Sequence, residues 1–202
     1  MADQRQRLVD RQHLVLFFAR DGQDLPPTQA LASNVKTRGF QDAEGFLQSG
    51  GQKGPQRMIL REGTYAINLV QFVVLTEDQL FYLPLDRSEL DTFQKMSAVI
   101  AARGGYRPVV IKGTDDVIGV ITVHDGPSLP ADEIIAPTVG SDPANAGTYH
   151  NNFQDPDKFL MAGGLRGRQL QVLVEGTYYI NRLFATVEAV PKTIVEVGTV
   201  GV

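Results

Sequence analysis

Apolar residues along this chain gather in short runs. Residues 14–19 (LVLFFA), 71–78 (QFVVLTED), 118–123 (IGVITV) and 184–190 (FATVEAV) are strand-length and rich in β-branched and aromatic side chains. The segments 64–68 (TYAIN) and 177–181 (TYYIN) alternate, placing Tyr65 and Ile67 on one face and Thr64 and Ala66 on the other. One stretch changes period: Leu90, Phe93, Met96 and Ile100 fall at helical spacing and Gly104-Gly105 closes the pattern. Ser88 with Asp91 three residues on predicts a capping box at its start. The polar face of this helix lacks the basic residues of membrane-surface helices, so it is predicted to pack on its own sheet.

The pattern occurs twice. Residues 40–68 return as 153–181 without a gap, an offset of 153 − 40 = 113. Roughly half the aligned positions are identical, against about one in fifteen for unrelated sequences of ordinary composition. Upstream, LVLFFARDGQDLP is matched by IGVITVHDGPSLP at an offset of 125 − 21 = 104, from Asp21 to Asp125. The difference between 113 and 104 places a nine-residue insertion in the second copy, assigned to the small and polar loop TVGSDPANAGTYH.

Each copy predicts one short helix between legible ends. Asp42 and Asp155 are N-cap residues, Pro156 suits the first helical position, and Gly50-Gly51 and Gly163-Gly164 can take the backbone angles that stop a helix. Phe46-Leu47 and Phe159-Leu160 then form the buried face. Strands over 56–61 and 169–174 end at Glu-Gly, with Gly63 and Gly176 at a turn. Asn68 and Asn181 close the alternating segments, where asparagine can bond local backbone or adopt left-handed geometry. The fold class is therefore α+β and β-dominated: two homologous modules, each with several strands and one short helix, joined by a helical connector. The expected boundaries are 1–78 for the first module, 79–116 for the connector, 117–190 for the second module and 191–202 for the start of a third.

Composition removes several function classes. With 202 residues, 43% hydrophobic, the chain can bury one sizeable core or two modest ones. A formal net charge of −4 without a basic stripe argues against nucleic acid as a partner. Absence of cysteine excludes disulfides, thiolate metal sites and a cysteine nucleophile. No apolar run approaches the roughly 20 residues of a membrane-spanning helix, and the N-terminus lacks a secretory signal pattern. The expected location is cytoplasmic or membrane-associated.

Candidate chemistry is sparse. His13, His124 and His150 stand in unrelated neighbourhoods, and His124 is replaced by Arg20 in the first copy. Asp115 and Asp116 are adjacent carboxylates, too few for a calcium loop. The glycine-rich loops 49–56 (SGGQKGPQ) and 162–169 (AGGLRGRQ) follow a helix, whereas a phosphate loop precedes one. No residue is assigned a catalytic, cofactor-binding or metal-ligating role. Asp42, Gly63, Tyr65, Asn68, Asp155, Gly176, Tyr178 and Asn181 are assigned to a shared structural motif. Gly50, Gly51, Gly54, Gly163, Gly164 and Gly167 are candidate interaction loops.

The string EGTYYINRLFATVEAVPKTIVEVGTVGV, with REGTYAIN earlier, resembles the SPFH or band-7 superfamily, the group of stomatin, prohibitin and flotillin. Gly176, Thr177, Tyr178, Ile180 and Asn181 match its G-T-Y-x-I-N-P element; Val197, Gly198, Val200, Gly201 and Val202 match its V-P-x-G-x-V-G-V element. HDGPSLP and HNNFQDPDKFL extend the resemblance over most of the chain. The proline after I-N is here Leu69 and Arg182. The resemblance implies a longer polypeptide, a homo-oligomer in that context, and membrane association through regions beyond this one. The resulting expectation is a non-catalytic scaffold or assembly element. The competing expectation is a ligand- or peptide-binding module using the cleft between the copies, lined by Tyr106, His124 or His150.

Overall fold

The computed structural model describes residues 13–193 except 62 and 87. In the first copy β1 (Leu16–Ala19), β2 (Gly54–Pro55) and β3 (Phe72–Leu75), extended by β4 (Leu80–Phe81) from the stretch expected to be connector, form an antiparallel sheet in the order β2-β1-β3-β4; α1 (Ala43–Gln48) lies between β1 and β2 in the chain. The connector carries α2 (Glu89–Ala102) and β5 (Val109–Ile111). The second copy contains β6 (Val117–Val123), α3 (Pro156–Met161), β7 (Gly167–Leu173), β8 (Gly176–Tyr178) and β9 (Ala185–Pro191). Its sheet runs β7-β6-β9, and β5 pairs with β8. The protein is α+β and β-dominated. Among the described residues no helix is long and apolar enough to cross a membrane.

The duplication extends to hydrogen-bond register. Ala19 pairs with Phe72 and Gly54, and at the offsets of the repeat Val123 pairs with Ala185 and Gly167. Gln56 and Gln169 are both buried, and their side-chain amides donate to equivalent carbonyls, Gln52 and Gly54 in one copy, Leu165 and Gly167 in the other. A β-sheet register is fixed by which face must be buried. Two copies that keep the same buried face keep the same pairing.

Helix ends follow the sequence. Asp42 accepts from the Gly45 N–H at 2.8 Å and Asp155 from the Lys158 N–H at 3.1 Å, and Pro156 opens α3. Gly50 and Gly163 take φ of 79° and 86° at the stops. The next glycine in each pair has a different duty. A Cβ on Gly51 would lie 2.5 Å from the Phe46 ring, and one on Gly164 would lie 2.3 Å from the Phe159 ring. Gly63 and Gly176 make room in the same way for the hydroxyls of Tyr65 and Tyr178, each 2.8 Å from such a Cβ. The Tyr178 hydroxyl also donates to the Val174 carbonyl at 3.1 Å.

Several expectations are corrected: 56–61 forms only isolated bridges at Gln56 and Leu60, 64–68 forms no strand, and Leu47 is exposed where the buried face of α1 was expected. Ser88 stands at the N-cap of α2 as expected but makes no capping box, because its N–H and hydroxyl both bond Asp86. Of the two uses expected for Asn68 and Asn181, bonding to local backbone is the one found: they accept from the N–H two residues on, those of Val70 and Leu183, without left-handed geometry. Left-handed backbone occurs instead at 38–40 and 151–153, where Phe40 and Phe153 have φ of 61° and 65°. Bulky residues rarely adopt this conformation. Here each phenylalanine N–H is held by the residue three positions earlier, Thr37 Oγ1 or His150 Nδ1, and each ring is buried in its core. The expected third module at 191–202 lies almost wholly outside the described residues.

Three buried clusters result. Phe17, Phe40, Phe46 and Phe72 centre the first copy, and Phe153, Phe159, Phe184 and Ile121 the second. Between them α2 packs Phe93 and Ile100 against Leu14, Leu16, Val73 and Leu75 on the other face of the first sheet. The helix thus covers its own sheet.

Adding a methyl at the second glycine of either pair forces it into a fully buried ring. Gly164→Ala and Gly51→Ala are each expected to lower stability by about 1–3 kcal/mol, measured as a fall in urea midpoint at unchanged slope.

Candidate functional site at the junction of the two copies

The most heavily bonded buried polar residues lie where the copies meet. The segment after the first Leu-Pro pair crosses to the second copy and inserts Leu31 into the cluster of Phe153, Phe159 and Phe184. Backbone groups of the same segment reach second-copy carboxylates: the Ala30 N–H donates to Asp125 Oδ1 at 2.8 Å and the Asn34 N–H to Asp157 Oδ2 at 3.0 Å.

Arg57 completes the contact. Its Nε donates to Asp125 Oδ2 and its Nη1 to Asp157 Oδ1, both at 2.8 Å, with Ser33 Oγ also at 2.8 Å from Nη1. Both Arg57 and Asp125 are buried, while Asp157 keeps an edge in water. Burying an ion pair costs several kcal/mol per ion and is repaid only by close geometry and further hydrogen bonds. Asp125 meets that condition, since Oδ1 accepts from both Ala30 and Gly126 N–H groups. Arg57 Nη2 has no hydrogen-bond partner in the protein.

The turn 181–184 ties the junction to the connector. Asn181 Nδ2 donates to the carbonyls of Gln56 and Arg57, both at 3.0 Å, while Arg103 from the end of α2 donates to the carbonyls of Arg182 and Leu183. In the first copy the equivalent carbonyls, Leu69 and Val70, receive Arg20, which also pairs with Glu89. His124 occupies the Arg20 position, so the second copy takes its cation from the connector. Arg61 stacks on Tyr179 with its guanidinium 3.8 Å from the ring centre, adding a further cross-copy contact.

The residues offered for a ligand cleft do not converge. Tyr106 packs in the α2 cluster and bonds Ser97, His124 Nε2 lies 3.1 Å from Thr186 Oγ1, and His150 is buried in the second core. His150 has both ring nitrogens engaged: Nδ1 accepts from Phe153 N–H and Nε2 lies 2.7 Å from the Val139 carbonyl, to which it donates as the neutral tautomer. Burial pushes its pKa down, partly opposed by the bond to the Val139 carbonyl and by the charge of Asp155; burial and the nearby Arg103 lower that of His124. Asp115 and Asp116 lie at a short turn, where Asp115 bonds the Lys112 N–H. Among the described residues no group of three or more His, Asp or Glu could hold a metal ion.

Within the structural motif, Asp42, Asp155, Gly63, Gly176, Tyr65 and Tyr178 act inside their own copies, and Asn181 alone also reaches across. In the glycine loops, Gly54 and Gly167 pack under Leu25 and Leu129. The junction roles of Arg57, Asp157 and Leu31 were not read from the sequence, and Asp125 stood out only as part of a repeated Asp-Gly turn. A partial signal was present: in the alignment of 56–61 with 169–174, Arg57 and Arg61 stand where the second copy has Leu170 and Val174, charges in place of apolar residues.

Removing the guanidinium strands a buried carboxylate. Arg57→Met is expected to cost about 3–5 kcal/mol in chemical denaturation, with Arg57→Lys losing less because one ammonium retains the charge. A pH series tests the histidines. Because the folded chain holds His150 and His124 below the ordinary value of 6.5, the unfolded chain binds more protons in acid. Their stability contribution is complete above that value and is lost as pH falls below it. The urea midpoint should be flat above neutrality and fall on acidification, less steeply in His150→Thr, which restores the first copy's Thr37.

No family model, curated protein or solved structure matches this chain.

Proposed function

We propose that this chain is a non-catalytic assembly element, a scaffold whose modules stack through complementary surfaces. The observation that carries the reading is the use made of the buried charges: Arg57 and Asp125 join one module to the next, together with Asp157 at their edge. An apolar plug beside a desolvated ion pair, closely bonded through Arg57 Nε and Nη1, is the anatomy of a specific interface. The space between the copies is filled by Leu31 and Arg57, which favours assembly over a ligand cleft there. The membrane side of the proposal, a membrane-associated oligomer of the SPFH or band-7 kind, is supported by the sequence resemblance alone.

Light scattering of the intact chain over a wide concentration range, with and without vesicles of phosphatidylcholine and phosphatidylserine, tests both parts. Mass rising above the monomer is expected; a strict monomer at every concentration overturns the assembly reading for these residues. Vesicle binding would extend it to the membrane, and its absence would confine the membrane link to other regions.

A further inference from the structure

The internal junction has a donor side and a recipient side, and the repeat supplies each with a counterpart elsewhere. On the donor side Leu31 and Arg57 are each 2% exposed, while their counterparts Ile135 and Leu170 are 44% and 63% exposed. Ile134 beside Ile135 is exposed, as is its counterpart Ala30, so this pair adds apolar surface to the donor face without a buried precedent. On the recipient side Leu160 and Leu183 pack against the second core, whereas their counterparts Leu47 and Val70 are 43% and 55% exposed. Leu83 adjoins Val70, since Arg20 holds the carbonyls of both, and it too is exposed. Asp21, Glu44 and Asn68, counterparts of Asp125, Asp157 and Asn181, are likewise exposed.

We infer that a second copy of this chain covers these faces, head to tail, with the second module of one copy docking on the first module of the next as the first docks on the second inside the chain. The inference rests on the assembly reading and names its partner and surfaces. The internal junction is the template: Ile135 lies against Leu47 and Val70, the Ile134 N–H meets Asp21, and Asn68 meets the carbonyls of Gln169 and Leu170. Each of these contacts has an equivalent inside the chain: Leu31 is buried in the cluster that Leu160 and Leu183 flank, the Ala30 N–H bonds Asp125, and Asn181 bonds the carbonyls of Gln56 and Arg57. One element is missing. Leu170 offers no cation to Asp21 and Glu44, so the contact between copies is weaker than the one within the chain, and Leu170→Arg supplies what it lacks. A heterologous contact of this kind propagates unless its rotation closes a ring.

Sedimentation velocity of the full chain, with each variant's denaturation midpoint checked first, decides the matter. The wild type is expected to form a concentration-dependent series of oligomers. Ile135→Asp blocks the donor face and Leu47→Asp the recipient face, so each alone stays monomeric. Mixed, they form a discrete 1:1 dimer through the one intact face on each. Leu170→Arg tightens association by about tenfold and makes it salt-sensitive. A wild type that stays monomeric overturns this inference and the assembly reading together. Oligomers that persist in both aspartate variants, or a mixture that does not dimerise, overturn this inference alone and leave assembly to another surface.

Discussion

A guanidinium removed from water must be matched where it sits, and that requirement organises this molecule. Arg57 belongs to the first copy, and both carboxylates that match it belong to the second. The copies therefore hold a defined relation, since sliding one past the other would strand charge in a medium that penalises it heavily. Apolar contact through Leu31 supplies attraction without direction; the ion pair and the backbone donors of Ala30 and Asn34 add the direction.

Around that constraint the copies have diverged while keeping their shared geometry. The carbonyls of the turn after each TYxIN segment need a cation in both. Arg20 provides it from within the first copy, and Arg103 provides it to the second from the end of α2. The N–H of the left-handed phenylalanine needs an acceptor in both, Thr37 in one and His150 in the other. Where the chemistry is local, different residues satisfy it. Where it crosses between copies, the counterpart residues are left facing solvent.

Much of the fold was legible because it depends on near neighbours. Aspartate N-caps, glycine stops and the apolar strand runs at 14–19, 71–78, 118–123 and 184–190 are written within a few residues of where they act, whereas the expected strands at 56–61 and 64–68 did not form. The Ser88 capping box failed because Asp86, two residues upstream, competes for the same hydroxyl. Left-handed backbone at Phe40 and Phe153 was illegible because ring burial and a bond from three residues away override the local preference. The junction was the least legible part. Arg57 and Asp125 lie 68 residues apart, and each has an ordinary polar identity until the fold desolvates it.

Leu31 adds a direction in time. Chains emerge from the ribosome N-terminus first, and domains tend to fold as units in that order. The first copy is complete in sequence before the second begins, and it carries outward the side chain that the second core needs. Folding in that order would let the later module condense around a plug already presented by the earlier one, a templated and vectorial route.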